Sequence, residues 1–259
     1  MGLPRSTTLL ALGALVWLGE PAGGRAEELV TDLSEHLIAI RSNFTGTQIL
    51  VFGAVEAESP EIRALARDIV VVVRGPELAF TVRRKARVAG IWMNYDSQEF
   101  DRIPTFYAVV STRPLEAIAS RDMLERHQIG TRHLRLREVT STGDAATESG
   151  FRQATTRLMT RARLYAEVTG GVSFLGDTLF RARIDIPSNV PVGNYTVEVY
   201  LIRDGNVIHA QASPLFVNKS GFERFIYNLA YRQPLLYGVL AVALALMAGW
   251  LAAAAFRNR

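Results

Sequence analysis

The sequence predicts a mainly β domain interrupted by a helical insert and followed by one membrane-spanning helix. Three observations predict it. Short runs rich in Val, Ile, Tyr and Phe recur between turn residues over 29–113 and again over 178–217. Residues 114–167, between these halves, take up a helical spacing of apolar positions instead. Pro234 to Phe256 (PLLYGVLAVALALMAGWLAAAAF) carries no charge and is long enough to cross a hydrocarbon core of about 30 Å.

Met1 to Arg5 is a short basic start, Thr7 to Gly19 (TTLLALGALVWLG) an apolar run, and Gly24-Arg25-Ala26 offers small residues at a cleavage site, so 1–26 reads as a signal peptide cut after Ala26. An uncleaved signal anchor is the alternative, and both place the domain outside the cytoplasm. His36–Asn43 and Gln48–Val55 read as a first pair of strands joined through Phe44-Thr45-Gly46-Thr47. Ile69–Val73, Leu78–Val82, Val88–Met93 and Phe106–Ser111 continue the series. A helix over Ser120–Gln128 stops near Gly130, and a second, from about Thr147 to Glu167, carries an apolar stripe of Phe151, Ala154, Leu158, Ala162 and Tyr165 with Thr147 or Asp144 as its cap. Thr178–Ile186, Tyr195–Ile202 and Val207–Val217 are strands, the last two joined through Asp204-Gly205, a strong hairpin signal. Strands at this spacing predict a sandwich over 27–219 with its helical insert at about 114–167, and Pro191 to Tyr195 followed by Val197 and Val199 resembles the closing strands of an immunoglobulin-like β-sandwich.

Over 220–233, Phe222, Phe225, Ile226, Leu229 and Ala230 lie on one helical face among tyrosines, the pattern of an interfacial amphipathic helix or of a helix packed under the domain. Within the span at 234–256, Ala241, Ala245, Gly249 and Ala253 recur every fourth residue, a helix-packing stripe that lets a second helix approach closely. Arg257 and Arg259 in the tail 257–259 favour a cytoplasmic C-terminus. The expected location is a bacterial inner membrane, single-pass, with the domain in the periplasm.

The net charge of +4 does not indicate nucleic acid. From Glu27 to Gln233 there are 25 Arg and Lys against 24 Asp and Glu, so the excess sits at the two ends and reads as topology. There is no cysteine, which excludes disulfides, thiolate metal sites and a Cys nucleophile. The four histidines show neither helical i, i+4 nor strand i, i+2 spacing, and the sequence holds no nucleophile elbow, zinc-helix or phosphate-loop motif. No enzyme, metal or cofactor is expected, although carboxylates brought together by folding leave a hydrolase open. Arg83, Arg84, Lys85 and Arg87 form the one dense basic cluster. On a strand, Arg83, Lys85 and Arg87 share a face. Such a face suits a small anion, anionic lipid or an acidic partner, and it also protects an edge strand from further pairing. Residues 113–163 are basic as well, with ten Arg and six acidic residues.

The segments HLIAI (His36–Ile40), VVVVRGP (Val70–Pro76), TVRRKARVAGIWMN (Thr81–Asn94), FYAV (Phe106–Val109), LFRARIDIPSNVPVGNYTVEVYLIRDG (Leu179–Gly205), PLFVNKSGFERFIY (Pro214–Tyr227) and LYGVLAVALALMAGWLAAAAFR (Leu236–Arg257) together resemble an alphaproteobacterial transmembrane protein family without an established activity. The resemblance implies an exported domain with one C-terminal span, similar to accessory proteins encoded near permeases of the sulfite-exporter type. Two functions are therefore weighed. One is a membrane-anchored accessory protein whose partner is a permease or other integral membrane protein. The other is a periplasmic domain that binds a sulfur oxyanion or sulfonate through the basic cluster.

Overall fold

A computed structural model describes residues 28–56, 66–139, 145–219, 227 and 229–256. Among them thirteen strands are found: β1 (Glu28–Leu33), β2 (Leu37–Ile40), β3 (Gly46–Glu56), β4 (Asp68–Arg74), β5 (Glu77–Val88), β6 (Ile91–Pro104), β7 (Tyr107–Ser111), β8 (Arg137–Glu138), β9 (Tyr165–Thr169), β10 (Val172–Leu175), β11 (Leu179–Pro187), β12 (Gly193–Arg203) and β13 (Asn206–Lys219). The helices are α1 (Leu115–Ile118), α2 (Arg121–His127), a 3-10 turn at Thr131–His133, α3 (Ala145–Arg161) and α4 (Pro234–Phe256). The protein is mainly β, in several sheets, with a single C-terminal apolar helix of span length.

Sheet order explains the burial. A four-stranded sheet runs β1-β3-β11-β10 and a six-stranded one β2-β13-β12-β4-β7-β9. All neighbours are antiparallel except β2 with β13 and β7 with β9. The inner faces of these two sheets close over one core, built from Ile49, Val51, Phe180, Ile184, Val197 and Leu215 among others. The outer face of the six-stranded sheet is covered in turn by α1, α2, α3 and the base of the β5–β6 hairpin, around Tyr107, Tyr165, Leu124, Ile129, Phe100 and Phe151.

β4 lies between the two cores. Ile69, Val71 and Val73 enter the first and Val70 and Val72 the second. That is why DIVVVVR lacks the alternation of a half-buried strand. Its two charged ends are both tied down. Asp68 accepts hydrogen bonds from the Thr112 hydroxyl at 2.7 Å and from Arg113 Nε at 2.9 Å and Nη2 at 2.5 Å. Arg74 donates from Nε to Glu198 Oε2 at 2.9 Å and from Nη2 to the carbonyls of His127 and Gln128 at 2.9 and 3.1 Å, with its guanidinium over the Tyr107 ring. The Tyr107 hydroxyl donates to the Gln128 carbonyl and accepts from the Gly130 N–H, each at 2.8 Å. Cation and phenol together satisfy the carbonyl end of α2 and fix it on the sheet.

Several expectations need correction. His36–Asn43 and Gln48–Val55 do not form a hairpin: β2 pairs in parallel with Phe216–Lys219 of β13, and β3 lies in the opposite sheet. The reason is Phe44, which packs against the first core instead of standing at a hairpin tip, so the connection crosses between sheets. Val88–Met93 is not one strand, because the chain reverses through Ala89-Gly90, and Leu78–Val82 is only the first part of the longer β5. The second helix ends at Arg161 and Tyr165 opens β9, where its hydroxyl donates to the Pro104 carbonyl at 2.8 Å. Its buried side chains are Phe151, Thr155 and Met159, and Leu158 is exposed. Thr155 tolerates burial because its hydroxyl donates to the Phe151 carbonyl at 2.8 Å, a pairing invisible to a search for apolar periodicity. Gln128, at φ 52°, supplies the left-handed residue that ends α2, ahead of Gly130. Thr147 lies inside α3 and does not cap it, and Asp144 falls outside the described residues. The helix read over Ser120–Gln128 spans Arg121–His127, with Ser120 as its N-cap accepting from the Met123 N–H, and the Asp204-Gly205 hairpin is present as read. The signal peptide 1–26, the tail 257–259 and most of the apolar face over 220–226 lie outside the described residues.

Two measurements check this arrangement. Val71→Ala and Val72→Ala are expected to destabilise the domain to a similar extent, about 2 kcal/mol each in denaturant unfolding, because both faces of β4 are closed. For Asp68, burial raises the carboxyl pKa, but the hydrogen bonds from Arg113 and Thr112 and the charge of Arg113 outweigh it, so the net shift is below the ordinary 3.8. A lowered folded-state pKa means stability that is present above the unfolded value and lost as pH falls through the folded one. The stability gap between the unaltered chain and Asp68→Asn should accordingly be widest near neutrality and shrink as urea melts are taken from about pH 5 to pH 2.

Candidate functional site

The cations that stand out in the sequence all fall on β5, where the strand leaves the body of the domain. Val82 and its partner Gln98 are buried, and beyond them β5 and β6 are largely exposed. Directly paired residues share a face, which divides the outer hairpin in two. Arg83 with Ser97, Lys85 with Asn94, and Arg87 with Trp92 occupy one face. Arg84 with Asp96, Ala86 with Met93, and Val88 with Ile91 occupy the other. A register shift between Arg84 and Lys85 leaves Tyr95 as the extra residue of β6, turned out to solvent.

The cluster is thus not four equivalent charges. Arg84 donates to Asp96 Oδ2 at 2.8 Å and holds its guanidinium 5.6 Å above the centre of the Phe151 ring, joining the hairpin to α3. Arg87 donates from Nε to the Gly90 carbonyl at 3.2 Å and braces the turn. Arg83 and Lys85 make no ion pair among the described residues. Between the hairpin and α3 runs a groove of about 560 Å³, lined by apolar Val82, Phe151, Ala154 and Leu158 and by Arg83, Lys85, Arg157 and the Asp96-paired Arg84. Apolar walls with cations beside them suit an amphipathic anion.

A second basic recess was not singled out in the sequence. Arg132, His133, Arg135, Arg137 and Arg152 line a depression of about 390 Å³ together with Glu125. Arg152 is held by Glu138 at 2.7 Å and Arg135 by the Glu125 carbonyl at 3.5 Å. The signal was present as Arg132-His-Leu-Arg-Leu-Arg137, but a general excess of Arg over 113–163 concealed which of them converge. The histidines lie apart: His36 beside Asp32, His127 edge-on to Tyr200, His133 in the recess, and His209 on β13. Among the described residues no three metal-ligating side chains converge. The buried tyrosines are hydrogen-bonding groups at neutral pH: burial raises the pKa of Tyr107, and burial with the nearby Glu198 pushes Tyr200 to about 12.

On α4, Ala241, Ala245, Gly249 and Ala253 are all exposed, and a Cβ added at Gly249 would meet nothing within 4 Å. Its apolar stretch Pro234–Ala254 is not buried against any other part of the described residues. Before it, Leu229–Arg232 is helical and the rings of Tyr227 and Tyr231 stand 4.4 Å apart.

Comparison with known proteins adds a family. Described as "Putative transmembrane protein", it matches residues 28–258, from the first described strand to the tail after α4. No curated protein matches the chain.

The inequality among the cations is testable by thermal unfolding. Arg84→Ala is expected to cost about 1 kcal/mol through its lost ion pair and ring contact, and Arg83→Ala to stay within about 0.5 kcal/mol.

Proposed function

Because the chain belongs to this alphaproteobacterial family of transmembrane proteins, we propose that it is a non-catalytic accessory protein of the inner membrane, anchored by α4 and assisting a permease of the sulfite-exporter type. The domain faces the periplasm and the C-terminus the cytoplasm, a reading supported by the export signal over 1–26 and by Arg257 and Arg259 just beyond the span. The domain is immunoglobulin-like. Two features support this: the sheets β1-β3-β11-β10 and β2-β13-β12-β4, and the Tyr195 hydroxyl at the start of β12, which donates to the Pro191 carbonyl at 2.5 Å as a tyrosine corner does.

The observation that carries the accessory reading is the side of α4 holding Ala241, Ala245, Gly249 and Ala253. Lipid tails supply no hydrophobic drive for helices to associate, so close backbone approach over small residues is the means a single span has for gripping another. A second reading, an anion-binding domain for a sulfur oxyanion or sulfonate, is favoured by Arg83, Lys85 and Arg157 around one groove. Loss of sulfite or sulfonate binding in an Arg83→Ala, Lys85→Ala variant would support that second reading.

The accessory reading is tested by cross-linking in native membranes, where Lys85 and Lys219 are the only lysines and report two separate surfaces. Recovery of one permease with the unaltered chain, falling about tenfold or more with Ala245→Leu, Gly249→Leu, is the expected result. If no integral membrane partner is recovered under any condition, the reading fails.

A further inference from the structure

Two hairpins of this domain turn through the same backbone geometry with opposite chemistry. The β12–β13 turn is Asp204-Gly205, at φ 49° and 78°, set between Arg203 and Asn206. The β5–β6 turn is Ala89-Gly90, at φ 50° and 87°, set between Val88 and Ile91. Asp suits the left-handed conformation because its side chain can hydrogen-bond locally, whereas Ala bears the same steric cost with no such return. A polar residue at position 89 would favour both the turn and its hydration. Instead six successive residues, Val88-Ala-Gly-Ile-Trp-Met93, present no polar group except the indole N–H. Ile91 is 71 %, Trp92 67 % and Tyr95 70 % exposed, values that place large apolar and amphipathic groups in water at the end of an arm.

The remaining features of the arm specify what covers it. Ala86, Val88, Ile91 and Met93 share one face, and Arg83, Lys85 and Arg87 the other with Trp92. Trp and Tyr prefer the boundary between headgroups and acyl chains, and Lys and Arg on the water side of that boundary meet lipid phosphates. A bilayer is near. Ser220 to Gln233, fourteen residues that span at most about 40 Å because Leu229–Arg232 is helical, join β13 to α4, and β5 itself is about 40 Å long. Tethering by α4 makes insertion of the tip an intramolecular event, so that modest affinity suffices.

We propose that the tip of the β5–β6 hairpin, Val88 to Met93, inserts into the headgroup layer of the bilayer that α4 crosses, with Arg83, Lys85 and Arg87 binding the phosphates of anionic lipid. The domain is then held at two points and lies against the membrane in one orientation. This inference rests on α4 being a membrane span and not on the permease reading, so failure to recover a partner leaves it standing.

The test uses the full chain with Trp17→Phe and Trp250→Phe, which leaves Trp92 as the sole indole. The protein is reconstituted into phosphatidylethanolamine vesicles containing phosphatidylglycerol, and separately into phosphatidylcholine vesicles. Lipids brominated on their acyl chains are expected to quench Trp92 in the anionic vesicles. Aqueous acrylamide should quench it there several-fold less than in Ile91→Asp, a change at a side chain outside the core that lowers insertion by about tenfold or more. Arg83→Glu, Lys85→Glu, Arg87→Glu should reduce lipid quenching, and so should a change to phosphatidylcholine. Trp92 open to acrylamide and untouched by brominated lipid in both vesicles overturns the proposal. Shielding from acrylamide without lipid quenching would indicate a protein contact and overturns it equally.

Discussion

Ile69 to Val73 are withdrawn from water on both faces, and a strand so placed requires two separate coverings. The four-stranded sheet supplies one. The other comes from α1, α2, α3 and the base of the β5–β6 hairpin, and on that side Arg74, the last residue of β4, needs acceptors for its cationic group. It finds them in the last carbonyls of α2 and in Glu198. A helix end and a half-buried cation thus resolve each other's unsatisfied groups, and these bonds hold the helical layer on the sheet alongside the apolar packing around Tyr107 and Tyr165. At the other end Asp68 performs the matching function toward Thr112 and Arg113, directly after β7. β4 is therefore pinned in register at both ends, which its uniform valines could not do alone.

The sequence conveyed the elements whose signals are local. Asp204-Gly205, the short helix after Ser120 and the uncharged run over 234–256 each carry their meaning within a few residues. Pairing across long separations was hidden. Nothing in His36 to Ile40 indicates that its partner lies at 216–219, and the alternation of β3 is the same whether it pairs with β2 or with β11. The basic cluster was legible as a cluster and not as a set of roles, since Asp96 and Phe151, which engage Arg84, lie 12 and 67 positions away. Leu158 and Thr155 exchanged places for a related reason: a hydroxyl satisfied by its own helix behaves as an apolar group, and hydropathy does not record it.

Charge and exposure are arranged outward from this frame. The basic recess around Arg132 to Arg137 lies on the covering layer, and the free cations Arg83 and Lys85 lie on the arm. Arg84 joins β5, β6 and α3 through its ion pair and ring contact, just beyond the point where Val82, Gln98 and Phe100 are buried in the domain.

The pairing of β2 with β13 carries a mechanical consequence. Lys219, the last residue of β13, is where the chain departs toward its anchor, and Phe216 to Lys219 are held by β2 in parallel while the preceding residues are held by β12. There the strand carries two kinds of ladder, perpendicular bonds to antiparallel β12 and slanted bonds to parallel β2. The strand from which the domain is suspended is therefore an inner strand of its sheet, with a neighbour on each side close to the point where the chain leaves it.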